Sequence, residues 1–184
     1  RLANWPEAVG GDLQIGGNWQ LDAGDRVDGR IVLARERGDL MLTNTPTATA
    51  LGLRRLDLSA EASAGRLRIG LDADGSRLGR LSGQAESLLT RRDGVWGIAA
   101  DTPFQASADL ALQSLAWAAP WLDPSGATRF DGRLSASLRG SGSLAAPKLD
   151  GRLAGEGFSL ALPEQGLDLR DGRFQAELAQ DTLV

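Results

Sequence analysis

The side chains in this 184-residue chain that could do chemistry are carboxylates and arginines, because histidine and cysteine are both absent. Without cysteine there is no disulfide, no thiolate metal site and no thiol nucleophile. Without histidine the commonest general base and the commonest metal ligand are missing, and with them serine–histidine triads and most zinc sites. A paired-carboxylate glycosidase remains conceivable with 24 acidic residues, and Asp22 with Asp25, or Asp72 with Asp74, lie close in sequence. Each sits at an expected strand end or turn, where aspartate bonds the local backbone, so both pairs read as solvated turn residues. The tripeptide Asp-Gly-Arg recurs at Asp28, Asp131, Asp150 and Asp171. Its acids are isolated rather than clustered as in a calcium loop, which leaves turn chemistry with an exposed arginine, while its glycine falls on the apolar side of the alternation, within or at the mouth of a strand, where it leaves space or permits a bend. No glycine-rich loop precedes Lys-Ser or Lys-Thr, and no nucleophile stands beside a base. The sequence therefore points away from catalysis and offers no catalytic residue, metal site or cofactor site.

The basic residues are nineteen arginines and Lys148, against a net charge of −4. The only doublets, Arg54-Arg55 and Arg91-Arg92, are too short for a basic patch, so nucleic acid is not an expected partner. The five tryptophans, Trp5, Trp19, Trp96, Trp117 and Trp121, read as packing or amphipathic-interface residues.

The elements that would position these residues are strands. Apolar residues alternate with polar ones at period two, the mark of a sheet with one apolar face. The alternation places Leu13, Ile15, Trp19 and Leu21 together, then Ile31 and Leu33, Leu56 and Leu58, and Leu67, Ile69 and Leu71. It returns in Phe104, Leu110 and Leu112, in Leu134 and Leu138, in Leu153, in Phe158, Leu160 and Leu162, and in Phe174 and Leu178. That makes about a dozen segments divided by Asp-Gly, Gly-Ser and proline turns. Leucine and alanine dominate this face, with only 4 Ile and 5 Val in the chain, so β propensity is weak and the pattern must override it. The 24 glycines suit turns, bulges and bent sheet better than helix.

One stretch breaks the period. Leu112, Leu115, Ala116, Ala119 and Leu122 sit at helical spacing, which predicts a short helix near 114–122 that caps or plugs one end of the apolar surface. The last three Asp-Gly-Arg copies start 19 and then 21 residues apart, a hairpin-sized unit that implies growth strand by strand. The expected architecture is all-β, with residues 1–184 forming one segment without an internal boundary. Two arrangements fit equally: a β-sandwich closing two apolar faces on each other, or one long curved, mostly antiparallel sheet whose apolar face stays open as a concave groove.

The apolar fraction of 42% is ample for a folded domain. The longest dense apolar run, Leu115 to Leu122, is far shorter than the roughly 20 residues that span a bilayer. The chain begins at Arg1 rather than Met and stops within an alternating pattern, as expected of a segment of something longer.

The stretch Gly132-Arg-Leu-Ser-Ala-Ser-Leu-Arg-Gly-Ser-Gly-Ser-Leu-Ala-Ala-Pro-Lys-Leu-Asp-Gly151 resembles the recurrent pattern of the TamB family of translocation and assembly module proteins: Gly-x-Leu, a glycine, then Leu-x-x-Pro-x-Leu-x-Gly. Leu160 to Phe174 looks like that family's next unit, and Trp5 to Gly11, Gly38-Asp-Leu40 and Ser114 to Trp117 are similar in style. AsmA-like proteins share this manner of repeat. The resemblance implies a "β-taco" sheet with an apolar groove, in a periplasmic region of a protein anchored in the inner membrane by an N-terminal helix outside this chain. It implies a TamA-like outer-membrane barrel partner, and roles in phospholipid transport and in assembly of outer-membrane proteins such as autotransporters. The groove would then be the alternating face from Leu13 to Leu178, sheltering acyl chains or, alternatively, holding unfolded outer-membrane β-strands by apolar contact and edge pairing. The outermost strands are expected to present unpaired edges and to self-associate through them.

Overall fold

A computed structural model describes residues 9–43, 48–119, 123, 127–179 and 182–183. In chain order the strands are β1 (Val9–Gly11), β2 (Gln14–Ala23), β3 (Val27–Arg37), β4 (Leu40–Leu42), β5 (Thr49–Ala50), β6 (Leu53–Ser63), β7 (Arg66–Gly75) and β8 (Gly79–Leu88). They continue as β9 (Thr90–Arg92), β10 (Val95–Gly97), β11 (Pro103–Leu112), β12 (Arg129–Ser143), β13 (Ala146–Leu162), β14 (Leu167–Ala179) and β15 (Thr182–Leu183). Ten of them form one sheet in the order β15-β14-β13-β12-β11-β8-β7-β6-β3-β2, antiparallel throughout. The expected all-β antiparallel architecture is what the chain adopts, and the sheet is not closed into a barrel.

Two excursions from this meander make small sheets, β1-β4-β5 and β9-β10, one at each end of the long strands. At the first end, the Asp39 carboxylate accepts from the backbone N–H of Leu40, Gly52 and Leu53, and Leu51 bonds into the β7–β8 turn. At the second, Trp96 Nε1 donates to Gly24 O at 3.4 Å and Arg91 pairs with Asp25 at 3.8 Å, which ties the β9–β10 hairpin to the β2–β3 turn.

No sheet faces the large one among the described residues. The chain exposes 12635 Å², where a compact protein of its 19.4 kDa exposes about 8,500 Å². Among the described residues no large side chain is fully buried, and the buried apolar residues are Val27, Leu53, Ala62, Ala73 and Leu115. The sandwich arrangement is thus set aside in favour of the open sheet.

Three local expectations change. The helix near 114–122 is, in its described part, a single 3-10 turn over Ala116–Ala118, followed by a helical bond from Asp123 N–H to Ala119 O; residues 120–122 lie outside the described residues, as do Trp5 and Trp121. Asp131 explains the tight turn, since its Oδ1 accepts from Ser114 Oγ (2.8 Å) and from the N–H of Leu115 and Gly132, holding the segment down on β12. The turn reading of the Asp-Gly-Arg acids gives way, while the glycines lie within strands, where the alternation puts them, in β3, β12, β13 and β14. Finally, the segments around Leu153 and Phe158 are one 17-residue strand, β13, with register shifts between Gly155 and Leu160.

Candidate functional site: an apolar strip across ten strands

Because side chains alternate along each strand, the register decides which residues share a face. One row of direct partners runs through all ten strands: Gly17, Leu33, Leu58, Leu71, Gly83, Ala108, Leu138, Gly151, Leu178 and Leu183. Its neighbour on the same face runs Trp19, Ile31, Ala60, Ile69, Ala85, Ala106, Gly140 and Leu149. Every residue expected on the apolar face lies on this one side except Leu13, which sits in the link between β1 and β2. None of them is buried; all are half-buried or exposed, Ile69 at 42%. The buried apolar side chains on this side cluster at the two ends of the sheet, Leu53 and Ala73 at one and Val27 and Ala62 at the other, while between them the glycines Gly140 and Gly155 are buried beneath their neighbours. The face is therefore a strip, covered at both ends and open between them. It extends about 40 Å across ten strands spaced roughly 4.8 Å apart.

The Asp-Gly-Arg repeat builds this strip. Each of its glycines points to the apolar side and lies beneath a large side chain of the adjacent strand. A Cβ on Gly29 or Gly151 would stand 3.1 Å from Leu21 Cδ1 or Leu138 Cδ1, and one on Gly132 or Gly172 would stand 3.1 or 3.2 Å from Phe158 atoms. Gly155 lies beneath both Phe158 and Phe174. The rings of Phe130, Phe158 and Phe174 form a chain with centroids 5.8 and 5.1 Å apart. The missing side chain gives its neighbour room to lie flat, so the strip is smooth and the backbone can bend.

The opposite face is charged. One row reads Arg30, Glu61, Arg68, Glu86, Gln105, Ser141 and Lys148, with alternating signs across four strands. Glu86 accepts from Arg66 and, at 3.0 Å, from Arg68, and these bonds hold its carboxyl below the usual range while the Arg68 guanidinium is raised. A hollow of about 800 Å³ lies on this polar side, lined by Arg30, Arg68, Glu86, Asp109 and Arg139 among others. A twisted sheet is saddle-shaped and hollow along one diagonal of each face. This open hollow lies on the polar side, and the apolar side is an open strip.

The earlier pairs of interest have structural places: Asp22 lies opposite Asp28 and Asp25 stands in the β2–β3 turn. Asp72 and Asp74 stand within β7 on the polar face; Asp74 pairs with Arg54 at 2.5 Å, and Asp72 lies opposite Asp57, itself bonded to Arg55. The Arg91-Arg92 doublet pairs with Asp25 and Asp101. Among the described residues no group of three or more acids is placed to hold a metal ion, and no helix is long and apolar enough to cross a membrane. Sequence reasoning missed β8, whose apolar side carries only Leu81, Gly83, Ala85 and Ser87. Its alternation with Ser82, Gln84 and Glu86 was the available signal.

Comparison with known protein families, with curated proteins and with solved structures found no match to this chain.

Proposed function

We propose that the apolar strip shelters phospholipid acyl chains in an aqueous compartment, with headgroups left toward solvent. The observation that supports this is the row of apolar or glycine residues that crosses all ten strands with no second layer over its middle. The ten-residue strands β2, β7, β8 and β11 are each roughly 33 Å long. One leaflet of a bilayer's hydrocarbon core is about 15 Å deep, so an acyl chain fits along a strand. The motifs from Gly132 to Phe174 resemble those of TamB-like proteins, and on that reading the chain is a periplasmic segment of an inner-membrane-anchored protein. It would move phospholipid between the two membranes and, with a TamA-like barrel, support assembly of outer-membrane proteins. No residue is assigned a catalytic role.

A second reading is favoured by one observation: among the described residues β2 ends the sheet without a partner strand on its outer side, and such an edge could receive an unfolded outer-membrane β-strand. Native mass spectrometry of protein purified without detergent, followed by lipid extraction, separates the two. Phospholipid adducts on the wild type that vanish in folded Leu134→Asp support lipid shelter. Adducts retained by that variant, or absent from both proteins, refute it and turn attention to client strands crosslinked at β2.

A further inference from the structure

The register sorts the charged side chains of the large sheet by face. Those with a direct partner stand opposite residues of the polar side, as Arg68 stands opposite Glu61 and Glu86, and Arg152 opposite Glu177. Arg35 is the exception. It lies opposite Ile15 and two residues beyond Leu33, on the apolar side of β3 near the end of that strand. The register shift between Gln14 and Ile15 returns Arg37, opposite Gln14, to the polar side, where Glu36 lies over Gly16. Arg35 is half-buried, its Nε donates to Gly38 O at 2.9 Å, and it makes no ion pair among the described residues. The nearby acids are otherwise engaged: Asp12 accepts from the N–H of Asp39, and Asp39 from those of Leu40, Gly52 and Leu53. A cation drawn partly out of water onto an apolar surface carries a desolvation cost that an anion beside it offsets.

We propose that Arg35 binds the phosphate of a phospholipid whose acyl chains lie on the strip, an inference that rests on the lipid-shelter reading above. With Nε held by Gly38, the two terminal nitrogens are left to grip two phosphate oxygens, a geometry the planar guanidinium favours. Ile15, 46% exposed, flanks the guanidinium, so the chain leaving the phosphate passes at once onto apolar surface. From Arg35 the apolar side of β3 continues through Leu33 and Ile31 to Gly29, roughly 20 Å away, longer than the ~15 Å hydrocarbon depth of one leaflet. Half-burial keeps the rest of the headgroup in water. The strip then selects its lipid by the phosphate as well as by apolar bulk, because a lipid without phosphate leaves Arg35 unanswered.

The test offers the chain equal amounts of phosphatidic acid and diacylglycerol with the same acyl chains and reads the bound lipid by native mass spectrometry. The wild type should prefer phosphatidic acid at least ~10-fold, the scale of a hydrogen-bonded charge pair. Arg35→Gln should hold diacylglycerol as the wild type does and lose the preference. Ile15→Glu, at an exposed site, answers the guanidinium with a carboxylate of the chain's own and should lose it too, which keeps the test open if Arg35→Gln fails to fold. Arg30→Gln removes an equal charge from the polar side and should retain the preference in full. A wild type that takes both lipids equally, as expected if Arg35 only braces Gly38, would overturn the phosphate site and leave the lipid shelter standing. So would a preference that survives Arg35→Gln or Ile15→Glu, or that falls equally in Arg30→Gln. A wild type that binds neither lipid would overturn the lipid-shelter reading itself, and this inference with it.

Discussion

The two faces of the large sheet draw on the same tripeptide in opposite senses. On the apolar side, the glycine of each Asp-Gly-Arg makes room for Leu21, Leu138 or Phe158. On the polar side, its arginine meets an acid on the next strand, as Arg30 meets Glu61, Arg133 meets Glu156 and Arg152 meets Glu177. One face is held by dispersion and apolar contact, which water does not screen; the other by exposed ion pairs, which contribute little and weaken in salt. The difference teaches where stability resides. It lies at the covered ends of the apolar face and in the phenylalanine chain, and hardly at all in the charge ladder.

The sharpest way to break that comparison is within the apolar face itself. Leu53, 5% exposed beneath the β5–β6 connection, should not tolerate a carboxylate: Leu53→Asp is expected to cost about 4 kcal/mol, the scale of an uncompensated buried charge. Ile69→Asp, on the open middle, should cost only about 1 kcal/mol in urea unfolding. Equal costs would mean that the middle is covered as the ends are.

Next in size is Phe158→Ala, which empties the space over Gly132, Gly155 and Gly172 and should lower stability by about 3 kcal/mol, read as a drop in Tm. A smaller effect belongs to Asp131. Burial raises its pKa, but the Ser114 hydroxyl and the N–H groups of Gly132, Leu115 and Ala116 outweigh that and hold it below the ordinary value. A carboxyl depressed in the folded state stabilises above its unfolded pKa and loses that contribution as pH falls through the folded one, so the loss sets in below about pH 4. Asp131→Asn should cost about 0.5–1 kcal/mol at neutral pH, after discounting for solvent screening, and should flatten the acid limb of a stability–pH curve. Glu86→Gln comes last: although two arginines depress its carboxyl, the group is fully exposed, and the variant should melt as the wild type does once salt is added.

Much of this was legible in the sequence because period-two alternation is a backbone property that burial must respect. It placed Ile69, Leu138 and Phe174 on one face despite weak β propensity. The strand β8 was harder to see, since Gly83 and Ala85 give almost no hydropathy contrast. The Asp-Gly-Arg acids read as turn residues from local preference, while the alternation already set Gly29 and Gly151 on strands; what it could not show is how closely the backbone and side chain of the adjacent strand approach them, Gln20 and Leu21 at one and Ser137 and Leu138 at the other. Whether one apolar face meets another is a matter of tertiary arrangement, so alternation could not separate the open sheet from a sandwich.

The open strip is tested most directly by thiol labelling of two single-cysteine variants, Ile69→Cys and Ala73→Cys, which lie on the same face of the same strand. Position 69 should react with maleimide rapidly and be protected when phospholipid is supplied, while position 73, 4% exposed, should react slowly in either case. Equally slow labelling at both positions without lipid would show a layer covering the middle of the face and contradict the account.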